Sequence, residues 1–142
     1  MILLRRHALL RSLASLAALP LLAACENSAT SMMLESKDHS LVLIRQQQYF
    51  WGDVKQYIVA SRLPVCQHRV EIHPDTAAMN TMTVYEAGSM LWALHQGNRW
   101  YLASTEECQV QDWNNSSSTP PGPAVGSFGQ HNGKTVFTPA AK

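Results

Sequence analysis

Basic residues are scarce and scattered in this chain, 11 Lys plus Arg among 142 residues. Three of them, Arg5, Arg6 and Arg11, stand at the start, so the chain from Cys25 onward carries eight against ten Asp plus Glu, a net charge of −2. A domain without a Lys/Arg cluster lacks the footprint that a phosphate backbone requires, which excludes nucleic acid as a partner. Length is short as well. The 118 residues from Cys25 onward suffice for one modest core and exclude an elaborate multidomain enzyme. Also missing is an apolar run long enough to span a bilayer, which takes about 20 residues. The run at 12–24 has 13 residues and is bounded by Arg11. Signatures of catalysis are missing too. Ser, Cys and His are present, but no nucleophile elbow joins them, and Glu106 and Glu107 are adjacent rather than facing. No catalytic residue is assigned, and the chain reads as a non-enzyme.

What is there begins with a leader. Residues 1–11 carry three arginines and no acid, 12–24 are apolar with Pro20 inside, and a small-residue site follows, the three parts of a secretory signal. Ordinary secretory cleavage wants small residues one and three positions before the cut, and Leu22 occupies the third position. Leu22-Ala23-Ala24-Cys25 instead resembles the lipobox of bacterial lipoproteins. The resemblance covers the leader and stops at Glu26. It implies cleavage between Ala24 and Cys25, a diacylglyceryl group on the Cys25 sulfur, and acylation of the new amino terminus, with palmitate as the expected chain. This covalent lipid is the only cofactor expected. One myristoyl-sized chain binds a bilayer at only about 10⁴ M⁻¹, whereas two or more hold stably. Arg5-Arg6 also suggests twin-arginine export, but His7-Ala8-Leu9 lacks the aromatic residue usual there. In lipoproteins of the enterobacterial type an aspartate after the cysteine favours inner-membrane retention. Glu26 therefore points to the outer membrane of a Gram-negative cell, facing the periplasm. The membrane is the first partner expected, and an envelope protein the second.

With Cys25 assigned to lipid, Cys66 and Cys108 remain in a compartment where disulfides form and persist. Pairing them is the simplest account, and it closes a loop of about 43 residues, worth roughly 4 kcal/mol in the chain-entropy model. Cys66, His68 and His73 are also of the types that zinc or copper accept. Five positions separate the two histidines, however, which puts them on opposite faces of a straight strand. No metal site is assigned.

Along the mature chain, 25–40 is polar and small apart from Met32-Met33-Leu34 and reads as a flexible tether. A β-rich domain follows over 41–113. Short runs rich in Val, Ile, Tyr, Trp and Thr, punctuated by Gly, Pro, Asp and Asn, predict strands at 41–51, 54–63, 69–73, 81–87, 90–95 and 99–105. The best-defined unit is a hairpin in which Met90, Trp92 and Leu94 alternate against Leu91, Ala93 and His95. Gln96-Gly97-Asn98 turns the chain, and Trp100 and Leu102 resume the alternation. The expected fold is mainly β: a small antiparallel meander, or a sandwich or barrel-like domain, with at most one short helix. That helix would be a turn at 75–79 capped by Asp75. Residues 114–142, rich in Asn, Ser and Pro, read as a disordered tail, because they bury too little to offset their ordering entropy. Val136-Phe137 is the tail's one apolar pair and a candidate edge strand.

Alternate strand positions cannot all face one core, so some of the aromatic rings must be exposed or covered by something else. Trp51, Trp92, Trp100 and Tyr101 are the candidate binding-surface aromatics. The favoured function is a cell-envelope lipoprotein acting by binding or structural support. The alternative is a ligand-binding module whose aromatics stack on a sugar or an apolar small molecule; a periplasmic enzyme or metal carrier ranks third. A concave face lined by Trp92, Trp100 or Tyr101 would favour a small ligand, and a flat apolar face a protein partner. Convergence of His68, His95 and a carboxylate would favour the third reading.

Overall fold

Burial alternates with period two along His39–Gln46, as a strand with one buried face requires. A computed structural model describes residues 27–34 and 37–141. Ala24 and Cys25, and with them the leader, lie outside the described residues. Ten strands form two antiparallel sheets, and the described residues contain no helix. The first sheet runs in chain order: β1 (Asn27–Met33), β2 (His39–Gln46), β3 (Val54–Arg62) and β4 (Cys66–Asp75). Its inner face presents Leu41 opposite Ala60 and Leu43 opposite Ile58, all four inaccessible to solvent. The second sheet holds β5 (Met82–Gly88), β6 (Leu91–Gln96), β7 (Arg99–Ser104), β8 (Gln109–Asp112), β9 (Ala124–His131) and β10 (Lys134–Pro139). Its spatial order is β10-β9-β5-β6-β7-β8.

The second sheet turns Met82, Val84, Leu94, Tyr101 and Phe128 inward, and these join Met32, Leu41, Leu43, Ile58 and Ile72 of the first in a single core. Each large apolar side chain buried there contributes about 1.5–3 kcal/mol. The two sheets form a sandwich and do not close into a barrel. On one flank β1 lies beside β10, with Ser28 Oγ 3.1 Å from Thr135 Oγ1 and Thr30 Oγ1 donating to the Thr135 carbonyl at 3.0 Å. On the other flank the Cys66–Cys108 disulfide joins the start of β4 to the turn before β8, its Cα atoms 6.0 Å apart. This is the pairing that cysteine parity predicts.

Four expectations need correction. Within the supposed tether, 27–33 is strand β1, paired along its length with β2, and Met32 is buried because it completes the core. The strand expected over 41–51 ends at Gln46, and the aromatic triplet after it lies in a loop. No helical turn forms at 75–79: Asp75 ends β4, and its carboxylate is engaged by Arg45 and Asn80. Most consequentially, the supposed disordered tail holds β9 and β10. The strand-free stretch 113–123 carries the chain from β8 back across the sheet to β9, beside β5.

β9 is strong because it is paired on both sides, with β5 and with β10, and because Phe128 is fully buried opposite Met82. Its turn is the two-residue Asn132-Gly133, with φ of 51° and 75°, the left-handed pair that a type I′ hairpin needs and that Asn-Gly favours. At Gly126 an added Cβ would lie 2.5 Å from the Phe137 ring, so the missing side chain is what lets that ring lie on the strand. Truncation after Trp113 should therefore abolish the cooperative thermal transition followed by circular dichroism. Phe128→Ala alone should cost about 3–5 kcal/mol. An unchanged melting curve for the truncated chain would remove β9 and β10 from the folded unit.

Candidate functional site

The registers give the sandwich two distinct ends. At the proximal end lie the start of β1, the β2–β3 loop, the end of β4, and the β6–β7 and β9–β10 hairpins. At the distal end lie Leu34, the β3–β4 and β5–β6 turns, the disulfide, and the end of β10. Cross-sheet bonds hold the ends in alignment. Gln56 Nε2 donates to Gln96 Oε1 at 2.8 Å proximally, and His39 Nδ1 lies 2.9 Å from Thr105 Oγ1 distally.

At the distal end an apolar cleft of about 560 Å³ opens where β1 and β10 diverge. Met32 and Leu34 from the β1 side, Val125, Phe137 and Pro139 from β9 and β10, and Met90 and Trp92 line it, together with Glu86, Gly88 and Ser89. The volume is within the range of small-molecule sites, about 300–1,000 Å³. The Trp92 indole N–H is buried with no hydrogen-bond partner among the described residues, a desolvation penalty of about 1–3 kcal/mol.

The proximal end is polar. Arg45 follows Leu41 and Leu43 in the inward phase of β2 and is fully buried, its Nη1 2.8 Å from Asp75 Oδ2 and 3.0 Å from Gln56 Oε1. Arg45 Nη2 donates to the Thr76 carbonyl at 2.8 Å. Asn80 donates to Asp75 through both its side chain, at 2.7 Å, and its backbone amide, at 3.0 Å. Gln56 and Gln96 exchange amide hydrogen bonds, and Gln96 also donates to the Asn80 carbonyl at 2.7 Å. Nothing in the sequence reading found this network. The available signal was a charge in phase with two leucines on one strand. Beside it, burial pushes the Tyr101 phenol above its ordinary pKa, opposed by the His73 amide that donates to its oxygen and by Arg99.

Three of the four candidate surface aromatics, Trp92, Trp100 and Tyr101, are buried, although Trp92 also lines the distal cleft and Tyr101 the polar opening at the other end. Trp92 and Tyr101 point into the core, and Trp100 points to the opposite face of the same sheet. There it stacks on His95 at 4.1 Å and 17° and is flanked by Tyr85 and Trp113. Alternation had separated the rings between two faces, and those on the outer face cover one another. No sugar-stacking platform of Trp92, Trp100 and Tyr101 exists. Trp51, by contrast, is 72% exposed, with Tyr49 and Phe50 at 58% and 51%. His68 and His95 stand on different sheets, and His95 is turned outward against Trp100.

The class that these features define is a disulfide-stapled antiparallel β-sandwich with an apolar cleft at one end and an exposed aromatic loop at the other. Compared with known proteins, the chain matches no family model, no curated protein and no solved structure.

Proposed function

We propose that the protein is a lipid-anchored binding module of the cell envelope, tethered through Cys25 and holding a small apolar ligand in its distal cleft. The cleft is the observation that carries this reading: seven apolar side chains line it, and Glu86 and Ser89 are the polar side chains among its lining. The second opening, over the proximal network, is a weaker candidate, because Asp75, Asn80 and Gln96 in its lining are already hydrogen-bonded to one another. Chain direction supports the arrangement as well. β1 starts at the proximal end, two residues after the proposed lipid attachment, so the cleft opens away from the membrane into the periplasm. Glu26, in place of the aspartate that favours inner-membrane retention in enterobacterial-type lipoproteins, supports the outer membrane in this reading. Binding rather than catalysis is the activity proposed.

Mass spectrometry of the mature amino terminus should find Cys25 as the first residue, carrying a diacylglyceryl group; an unmodified Cys25 rejects the anchor. For the cleft, the purified protein should bind the apolar fluorophore N-phenyl-1-naphthylamine. Ser89→Trp, which adds a bulky ring to the lining, and Leu34→Glu, which puts a charge there, should each weaken binding by about tenfold or more, or 1.4 kcal/mol. Equal binding by the wild type and both variants would reject the cleft as the ligand site.

A further inference from the structure

We infer that the loop at 47–53 is a second point of membrane contact, its three exposed rings seated in the bilayer interface that receives the lipid on Cys25. The inference rests on the lipid-anchor reading above and adds to it how the sandwich stands on the membrane.

Placement comes first. In the β1–β2 ladder Asn27 is the register partner of Gln46, and the loop begins at the next residue. Cys25 precedes Asn27 by two residues, a span of at most about 7 Å between Cα atoms. The anchor point and the aromatic loop therefore share the proximal end of the sandwich. Asn27, the first described residue, is thus paired beside the point where the loop carrying these rings begins.

The loop is also built rather than slack. Gln47 is buried and donates to the Gly52 carbonyl at 2.8 Å, and the Gly52 amide donates to the Tyr49 carbonyl at 3.0 Å. The rings are grouped: Trp51 stacks on Tyr49 at 5.4 Å and 17°, and meets Phe50 edge-on at 4.5 Å. A loop held this way presents three adjacent aromatics to water instead of folding them onto the sheet. That arrangement is unfavourable in solution and favourable where the rings are covered.

The chemistry of the rings selects the cover. Tyr and Trp combine an apolar body with a polar tip and concentrate at the headgroup level of membranes. The charges at the neighbouring strand ends are of both signs, Asp53 and Asp112 against Lys55, Arg99 and Lys134, so the contact is interfacial rather than a response to anionic lipid. Two points of contact restrict the tilt that a lipid chain alone leaves free, and they hold the distal cleft away from the bilayer.

The test uses the lipidated protein purified from membranes, with the Cys25 modification first verified by mass, so that a missing lipid rejects the anchor separately from the loop. Reconstituted in phosphatidylcholine vesicles carrying acyl-chain bromines, the wild type should show bromine quenching of tryptophan fluorescence that Trp51→Phe largely removes. Trp92, Trp100 and Trp113 remain in both proteins as the reference. Adding anionic phosphatidylglycerol should leave the difference unchanged. Identical quenching in the two proteins, or Trp51 on vesicles as open to aqueous iodide as in detergent-free solution, overturns the proposal. So does protection of Trp51 that rises with protein concentration without vesicles, which assigns the loop to a second copy of the chain.

Discussion

Asp75→Ala should lower the unfolding free energy by about 3–5 kcal/mol, because it strands the Arg45 guanidinium in the core without its counter-charge. Arg45 is inaccessible and the Asp75 side chain only 4% exposed, so the pair is largely shielded from water and the lost partner is replaced poorly. The loss extends further than one contact. Asn80 and Gln96 also donate to this carboxylate, and removing it leaves their donors to find new acceptors between the sheets. Urea denaturation followed by fluorescence gives the answer directly. Replacing both charges together, Arg45→Met with Asp75→Leu, should recover most of the loss, since a well-packed apolar pair often equals or exceeds a buried ion pair. A shift for Asp75→Ala smaller than about 1 kcal/mol, the range of an exposed ion pair, would mean that the pair is solvated.

Loss of the disulfide ranks next. The bridge spans 42 residues in sequence, and in the chain-entropy model a loop of that size is worth about 4 kcal/mol. Its place adds to that value. The Cys66 end of β4 and the turn before β8 belong to different sheets, on the flank opposite the β1–β10 contact. Around it the linking bonds among the described residues are His39 to Thr105, the exposed pair of Arg62 with Glu106 at 2.6 Å, His39 Nε2 3.9 Å from the same carboxylate, and farther along the His73 amide to the Tyr101 hydroxyl. An exposed ion pair contributes little, about 0–1 kcal/mol, so the covalent link is the strongest single join on that flank. Cys108→Ser should therefore lower the melting temperature strongly, and the wild type under dithiothreitol should fall to the same value. If the variant melts like the oxidised wild type, the bridge adds nothing to stability.

Part of this architecture was open to inspection before any coordinates. Strands β2 to β7 follow from period-2 alternation and from turn residues such as Gly97, whose φ of 62° suits the first position of the two-residue hairpin turn between Gln96 and Arg99. The disulfide follows from counting cysteines once one is set aside for lipid. Even the Asn132-Gly133 hairpin was legible, since Asn-Gly between strands is the strongest short-range hairpin signal. The Ser- and Pro-rich stretch before it concealed it, by lowering the apolar content of the whole segment.

Composition, spacing and alternation are local properties, and by themselves they determined the β class, the turns, the compartment expected for the cysteines, and which residues share a strand face. They could not decide which second surface covers each face. Tertiary packing decided that β1, β9 and β10 are strands. Their own apolar surface is small, and β9 gains its stability from partners on both sides that are distant in sequence. Packing also separated the aromatics: Trp92 and Tyr101 reached the core and Trp100 an outer cluster, while Tyr49, Phe50 and Trp51 were left in water because the strand before them ends at Gln46. The buried Arg45 makes the same point from the polar side. A charge in phase with leucines is tolerable only where a fold brings Asp75, Gln56 and a backbone carbonyl within hydrogen-bond reach, and strand pairing and loop closure alone assemble those groups.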